Sequence, residues 1–316
     1  MRLEVPWYQL RRGAQLLTVD RRLWTRCFFP MHNILPFLLL LSFSGFAQQV
    51  SDSIFESGIL IRSIENPVLE EMSGLAFSKN HPDKFYTHTD SGGEATVYIL
   101  DSLGNEIGKI VLKDTENRDW EDIAVGPGPG GKSYVYVAEI GDNAGVHKSV
   151  KIYRFLEPST IEKKITVKPE VLKFTYPEGA MDAESLFVDP ISGDLFIVSK
   201  RDKKNTVFCL KSDDFGKKEV VATAVGELPF TSATAADISQ DGSKILIKNY
   251  FKIYYWDRKQ GETVADALLR SPKELPYVPE PQGEAIGFQP DGKAYYTISE
   301  KRYNIHPVLY RYPAKY

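Results

Sequence analysis

Acidic side chains recur at matching positions of a pattern that is repeated along this chain. One column stands just before a short apolar segment and contains Ser73, Glu121, Glu184, Ala236 and Glu284. A second column, two residues earlier, contains Glu71, Asp119, Asp182, Thr234 and Gln282. A third column ends the next apolar segment and contains Asp90, Glu139, Lys200, Asn249 and Glu300, with Asp142 and Asn143 just beyond Glu139. Carboxylates gathered in one place repel one another unless a cation or bound protons relieve the repulsion.

A hard cation is one way to relieve that repulsion. Ca²⁺ takes about six to eight oxygen ligands, and Glu, Asp and Asn side chains supply them. The four histidines after residue 47 show no zinc-ligand spacing. Ca²⁺ is therefore the cofactor that the residue types favour. The alternative is that the acids cap strands, bind water in an ordinary channel, or pair with Lys200, Lys248, Lys301 and Arg302.

The elements that would position these acids are strands of a repeat protein. An aromatic column falls at Tyr98, Tyr153, Phe208, Tyr254 and Tyr310, with gaps of 55, 55, 46 and 56 residues. This period fits one four-stranded blade of a β-propeller. In a propeller, the start of the innermost strand and the end of the second strand lie on one face, near the central channel. We therefore expect carboxylates from four blades to converge on one mouth of the channel.

The fold predicted from these repeats is all-β, a single propeller of five four-stranded blades. The fifth repeat ends after three strands, whereas residues 59–64 form a strand without a partner before the first repeat. We predict that this N-terminal strand completes the last blade and closes the ring, which removes an open sheet edge. Six blades remain the alternative if the longer second repeat contains another.

The first 47 residues are expected to be removed. Residues 31–47 have the apolar core and small-residue cleavage site of a secretory signal peptide, and the apolar run is too short to span a bilayer. Residues 1–30 are a basic extension, either a long n-region or residues upstream of a start at Met31, and we favour the second. We interpret 48–57 as a linker and 58–316 as the propeller. The protein is then exported, to the periplasm or beyond the cell, without a transmembrane segment.

Charge and motifs exclude two classes of ligand. The chain has 39 basic and 42 acidic residues, and removal of residues 1–47 takes away six Arg and two acids, which leaves 33 minus 40, or −7. This balance argues against nucleic acid. Residues 126–133 match the phosphate-loop pattern, but a strand follows instead of a helix and two prolines remove N–H donors. We expect a hairpin loop there and no nucleotide.

Four phrases are distinctive in combination: 119–124 (DWEDIA), 139–144 (EIGDNA), 182–186 (DAESL) and 281–286 (PQGEAI). They resemble a group of exported bacterial β-propeller proteins of unestablished activity, over most of residues 68–312. More distantly, the layout is similar to the calcium-dependent propeller hydrolases, namely paraoxonase, gluconolactonase and the esterase-like phytases. That resemblance implies that Glu121, Asp142, Asn143, Glu184 and Glu284 are metal ligands or substrate contacts. Those hydrolases are usually six-bladed, and the Ala236 position here offers no glutamate.

Three functions remain open from the sequence. The first is a metal-assisted hydrolase of a small ester, lactone or phosphoester, in which the cation polarises the substrate and activates water. The second is a non-catalytic module at the cell envelope that binds a small molecule, glycan, peptide or partner protein at the channel mouth, through the loops of the same face. The third is a mainly structural propeller whose acids are individually paired. In each case we expect a monomer.

Overall fold

Apolar segments separated by Gly- and Asp-containing turns fold into antiparallel strands. The computed structural model describes residues 53–315, so the predicted basic extension and signal peptide (1–47) lie outside the described residues. The turn at Gln289–Gly292 illustrates the local chemistry, because Gly292 adopts a positive φ of 65° that other residues seldom adopt. The hairpin prediction for 126–133 agrees with the structure, in which Ser133 begins a strand.

Five blades surround a central channel, as predicted. The N-terminal strand is β1 (Ile59–Ser63). Blade 1 contains β2 (Met72–Phe77), β3 (Lys84–Thr89), β4 (Glu94–Asp101) and β5 (Glu106–Glu116). Blade 2 contains β6 (Trp120–Pro127), β7 (Ser133–Glu139), β8 (Val150–Leu156) and, after β9 (Ile165–Val167), β10 (Glu170–Phe174).

The remaining blades repeat this arrangement. Blade 3 contains β11 (Ala183–Val188), β12 (Leu195–Ser199), β13 (Thr206–Leu210) and β14 (Thr223–Glu227). Blade 4 contains β15 (Ala233–Ile238), β16 (Lys244–Asn249), β17 (Ile253–Asp257) and β18 (Lys273–Leu275). Blade 5 contains β19 (Gly283–Phe288), β20 (Ala294–Ser299) and β21 (Val308–Pro313). The helices described are the α-helix α1 (Val264–Leu268) and two 3₁₀ turns, Pro67–Leu69 and Pro129–Gly131. None of them is long and apolar enough to cross a membrane.

The N-terminal strand closes the ring. Strand β1 pairs antiparallel with β21, with Ile59 opposite Arg311 and Ser63 opposite Val308. Upstream of β1, Phe55 bridges to Ala314, is 1 % exposed and packs edge-on against Tyr295 at 4.9 Å between ring centroids. The prediction that blade 5 is completed by the start of the propeller segment is confirmed.

The longer second repeat adds a strand rather than a blade. Strand β9 leaves blade 2 and pairs parallel with β5 of blade 1, with Ile110 opposite Ile165. Blade 1 is therefore five-stranded, and its outer edge is covered.

The hydrophobic core is divided into five clusters, each between two neighbouring blades. Between blades 1 and 2, the fully buried Trp120 contacts the His88 ring edge-on at 5.7 Å and lies 6.1 Å from the Tyr153 ring. Burial also lowers the pKa of His88 to about 4, so this histidine is a neutral core residue near pH 7. The channel side of the inner strands is thereby left to the polar residues.

Candidate site at the channel mouth

In four blades, a β-bulge at the start of the inner strand orients a side chain at the channel mouth. The register between the inner and second strands shifts between Trp120 and Asp122 in blade 2, and the same shift recurs in blades 3, 4 and 5. A bulge places one extra residue on one strand and redirects its side chain. The extra residues are Glu121, Glu184, Thr234 and Glu284.

Glu121 is the shared member of two groups of carboxylates. Oxygens of Asp90, Asp119 and Glu121 all lie within 4.8 Å of one another, and so do oxygens of Glu121, Asp182 and Glu184. These residues come from blades 1, 2 and 3. Glu121, Asp182 and Glu184 are only 5 %, 4 % and 3 % exposed. The predicted convergence of acids from different blades is therefore present on this side of the mouth.

Several oxygens of this cluster lack a partner. Within residues 53–315, no hydrogen bond ends on the Glu121 carboxylate. One buried oxygen each of Asp90, Glu184 and Glu300 is also without a hydrogen-bond partner among the described residues. Buried polar atoms in folded proteins are usually hydrogen-bonded, so a group of unpartnered carboxylate oxygens needs an explanation.

The other side of the mouth contains its own cation. The Lys200 ammonium forms an ion pair with Glu184 and lies 3.9 Å from Oε1 of Glu284. The Tyr250 hydroxyl donates a 2.7 Å hydrogen bond to the same oxygen of Glu284. Glu300 lies close enough to Glu284 for that acid to raise its pKa, and it accepts a hydrogen bond from the Gln282 amide. Lys200 thus neutralises Glu184 and Glu284, and Arg201 lies 2.6 Å from Asp182, whereas among the described residues no basic side chain lies within 4.0 Å of Asp90, Asp119 or Glu121.

Burial and mutual repulsion shift the acids of the mouth toward their protonated forms. Burial, together with Asp119 and Glu284, raises the pKa of Asp90 to about 7. Burial raises the pKa of Glu184 to about 8 although Lys200 opposes the shift. Burial and then Glu284 raise the pKa of Glu300 to about 10. Burial, Glu184 and Asp90 raise the pKa of Glu121 well above its usual range.

Lys200 remains charged in this environment. Burial alone lowers the pKa of Lys200, but Glu184 and Glu284 outweigh burial and raise it above its ordinary value. The mouth therefore combines a permanent ammonium with several acids that take up protons readily. At neutral pH, a second cation or bound protons would reduce the repulsion among these acids.

Four of the predicted site residues lie in other roles. Glu139 is 1 % exposed, forms a 3.0 Å ion pair with Lys151 and accepts from the Tyr153 hydroxyl, within blade 2. Asn249 accepts hydrogen bonds from the N–H groups of Phe251 and Lys252, and thus closes a hairpin loop.

The Asp142 and Asn143 side chains belong to the loop after β7. The Asp142 carboxylate accepts N–H groups of Val146 and His147 at 2.9 and 2.7 Å, and these bonds, against the effect of burial, lower its pKa. Asn143 is exposed and contacts Arg201, which also lies 2.6 Å from Asp182. Glu71 is exposed, and its charge helps to raise the pKa of Asp90 and Glu300 from the rim.

The strand register explains why two members of the third column fall outside the mouth. Trp120 pairs with Glu139, and Ala233 pairs with Asn249, as Ala183 pairs with Ser199. The residues equivalent to Lys200 are therefore one position later, Ile140 in blade 2 and Tyr250 in blade 4. By the same register, Thr234 and not Ala236 is the counterpart of Glu184. The predicted third column is therefore wrong by one residue in blades 2 and 4, and the predicted first column is wrong by two residues in blade 4.

Two buried charges beside the mouth were not predicted as site residues, although Lys248 was named as a possible partner of the acids. Lys248 is 0 % exposed, its ammonium donates to the Gly283 carbonyl and lies 5.1 Å from the Tyr277 ring centre, and burial lowers its pKa to about 8. Glu280 accepts hydrogen bonds from the Tyr277 and Thr297 hydroxyls at 3.0 and 2.5 Å, and burial raises its pKa to about 7. A charged residue within an apolar strand was the available signal for Lys248.

Asp122 joins three blades beside the mouth residue Glu121. Its carboxylate accepts N–H groups of Ile123 in its own strand, Leu186 in blade 3 and Ala236 in blade 4, at 2.9, 2.8 and 3.3 Å. These bonds fix the inner strands that carry Glu121 and Glu184 relative to each other. The mouth carboxylates thus stand on a cross-linked set of inner strands.

Comparison with protein-family models finds no match for this chain, and comparison with curated proteins finds none either. Among solved structures, the chain is similar to the crystal structure of a nidogen/laminin complex. The sequences are 14 % identical, 72 % of each chain is covered, and the TM-score is 0.44. At this identity the likeness is one of fold alone.

Proposed function

We propose that the channel mouth is a divalent-cation site and that the protein is a cation-dependent binding module. The observation that carries this proposal is the buried carboxylate of Glu121, which lies between two groups of acids with oxygens within 4.8 Å and accepts no hydrogen bond from residues 53–315. A bound cation would supply the positive charge that Asp90, Asp119 and Glu121 lack among the described residues.

Ca²⁺ is the ion that fits the donor set. Asp90, Asp119, Glu121, Asp182 and Glu184 offer only oxygen atoms. Ca²⁺ accepts irregular oxygen sets of high coordination number, whereas Zn²⁺ prefers nitrogen and sulfur ligands. Lys200 pairs with Glu184 and lies 3.9 Å from Oε1 of Glu284 on the opposite side. The cation and Lys200 together would attract an oxygen-rich ligand, such as a small anion, glycan or peptide carboxylate.

A second candidate function is hydrolysis of a small ester, lactone or phosphoester. It is favoured by the neighbouring acids Glu284 and Glu300 beside Lys200, because the pKa of Glu300 is raised to about 10 and this acid is protonated at neutral pH. A carboxylic acid kept neutral in this way can act as a general acid. The cation would polarise the scissile group. The distant resemblance to calcium-dependent propeller hydrolases points the same way.

Two further proposals complete this view. We propose that the protein is exported after loss of residues 1–47 and acts as a monomer at the cell envelope. The ligand would be a small molecule, glycan or peptide, and neither nucleic acid nor a nucleotide is expected as a partner.

Calorimetric titration tests the cation site directly. Chelator-treated protein is titrated with Ca²⁺, Mg²⁺, Mn²⁺ and Zn²⁺, and we expect saturable binding that is strongest for Ca²⁺. Glu121→Gln should abolish it, whereas Glu139→Gln, an equally buried acid with its own partners, should retain it. No binding of any ion to metal-free protein would refute the proposal.

Turnover separates the two functions. Ester, lactone and phosphoester substrates are tested with Ca²⁺ present, and hydrolysis lost in both Glu184→Gln and Glu284→Gln would support the hydrolase. Calcium binding with no turnover of any of these substrates favours the binding module. Full activity in both variants would exclude this mouth as the catalytic site.

A further inference from the structure

Three loops of adjacent blades rise from the mouth face. Each joins the second and third strands of its blade and begins at a mouth residue, Lys200, Tyr250 or Glu300. We define the loop crescent as residues 201–204, 251–252 and 301–305, in blades 3, 4 and 5. The crescent therefore borders the acidic mouth on the side that contains Lys200.

Large apolar side chains of the crescent are exposed. Phe251 is 79 % exposed, Tyr303 is 82 % exposed and Ile305 is 48 % exposed. They come from the loops of two different blades on one face. Single exposed apolar residues are normal, but a group of them on one face marks an interaction surface.

The backbone of the blade 5 loop holds its aromatic residue at the tip. Arg302 and Ile305 exchange backbone hydrogen bonds of 3.1 and 2.8 Å, and Tyr303 and Asn304 between them have φ of 52° and 62°. Positive φ is unfavourable for a bulky aromatic residue. The two residues are the central positions of a two-residue hairpin turn, which requires positive φ at both, and this turn holds the Tyr303 side chain at the tip, 82 % exposed.

The same loops are basic. They contain Arg201, Lys203, Lys204, Lys252, Lys301 and Arg302, against the single acid Asp202. Four of these six basic residues have acidic partners: Arg201 and Lys301 pair with Asp182 and Glu70 at 2.6 and 2.5 Å, and Lys204 and Lys252 form exposed ion pairs with Glu227 and Glu274, which are weak in water. In the described part of the chain, no carboxylate lies within 4.0 Å of Lys203 or Arg302.

We propose that the loop crescent docks the propeller on an anionic lipid surface, with the channel mouth next to the lipid headgroups. Charge complementarity carries the choice of occupant, because the crescent is basic although the chain after residue 47 is acidic. The exposed Phe251, Tyr303 and Ile305 sit on short tips that enter the headgroup region, where aromatic rings are favoured.

Lipid is favoured over an acidic polypeptide by the form of the surface. An acidic polypeptide is recognised by clustered basic side chains, whereas the unpaired Arg302 of this crescent lies 5.8 Å from the centre of the exposed Tyr303 ring. Basic residues with aromatic and aliphatic neighbours are typical of proteins that lie on membranes. The acidic mouth is recessed, since Glu121 and Glu184 are at most 5 % exposed.

Vesicle sedimentation tests the proposal. Strand β1 completes the ring within residues 53–315, so the chain from Gln48 to Tyr316 contains all five blades and is the form tested, with chelator present. We expect sedimentation with phosphatidylcholine vesicles that contain phosphatidylglycerol and none with phosphatidylcholine alone. Each of Lys203→Gln and Arg302→Gln should weaken binding about fivefold, and high salt should abolish it.

The apolar tips are tested with a matched control on the opposite face. Phe251→Ser with Tyr303→Ser should reduce binding about tenfold or more. Leu103→Ser with Ile191→Ser removes side chains that are 60 % and 69 % exposed at the other ends of the strands, and should leave binding unchanged. Equal binding to neutral vesicles, equal loss in both double variants, or binding to soluble polyglutamate without vesicle binding would each overturn the proposal.

Discussion

Replacement of Glu121 by glutamine should have opposite effects on the metal-free and the calcium-loaded protein. Burial and the neighbouring Glu184 and Asp90 raise the pKa of Glu121 well above its usual range, so its ionised form is unfavourable in the fold. The amide has the same shape without the charge. In chelator at pH 8, Glu121→Gln should therefore melt at the same temperature as the wild type or higher.

Calcium should reverse this order. A ligand at a hundredfold excess over its Kd stabilises the native state by about 2.7 kcal/mol. For a chain of this size, each kcal/mol raises the Tm by about 2 to 4 °C, so the wild type should gain about 5 to 11 °C. Glu121→Gln should gain little, because it lacks the carboxylate shared by both groups of acids.

Differential scanning calorimetry in chelator and in excess Ca²⁺ measures both effects. Glu139→Gln is the control, since it loses the ion pair with Lys151 and the bond from Tyr153 but leaves the mouth intact. It should melt below the wild type in both buffers and keep the full calcium shift. A Glu121→Gln variant that is destabilised in chelator, or that keeps the calcium shift, would refute the reasoning.

Three other predictions concern stability. In chelator, the stability contributed by Glu280 should be lost as the pH rises from about 4.5 to 7, because the folded state holds a proton that the unfolded chain releases. Urea unfolding at pH 5 and 8 should show a fall of about 2.5 kcal/mol in the free energy of unfolding, which Glu280→Gln should lack. Gly283→Ala should destabilise by about 1 to 3 kcal/mol in the same assay, because its Cβ would lie 2.5 Å from Glu280 Oε2 and from the Tyr277 hydroxyl. Deletion of residues 58–66 should abolish cooperative thermal unfolding, because blade 5 loses its outer strand.

Each of these predictions has a matched comparison. The comparison for Gly283→Ala is Gly226→Ala, because a Cβ at Gly226 would meet its nearest atom only at 3.9 Å. Gly226→Ala should change the free energy of unfolding by less than about 0.5 kcal/mol. Equal effects of the two alanines, an identical pH dependence in Glu280→Gln, or a deletion variant that melts like the intact protein would contradict the corresponding argument.

The fold was predictable because each blade repeats local signals. Apolar alternation and Gly/Asp turns are properties of a few neighbouring residues, so they can be recognised in the sequence. The strand at 59–64 had no partner and blade 5 lacked one strand, so closure of the ring by this strand could be predicted. Strand β9 was not predicted, because its parallel pairing with β5 joins segments with no local signal. The acids of the mouth were found through their columns.

The finer errors at the site come from strand register. Each bulge adds one residue to one strand, and the sequence does not mark where it falls. The position equivalent to Lys200 was therefore assigned to Asn249 instead of Tyr250, whose hydroxyl contacts Glu284. The contacts of Lys248 and Glu280 depend on how the residues pack in three dimensions, and an alignment of repeats in the sequence does not show this packing. The metal itself stays a prediction.

Closure by β1 has a consequence for the order in which the protein folds. Ile59 pairs with Arg311, so the two ends of the propeller meet only after the whole chain has emerged. Contacts between residues so far apart in sequence form slowly, because a long loop must close first. Until then the facing apolar sides of blades 1 and 5 are open to solvent. An unfinished chain therefore lacks the outer strand of blade 5, and the ring closes only when its last strand pairs with β1.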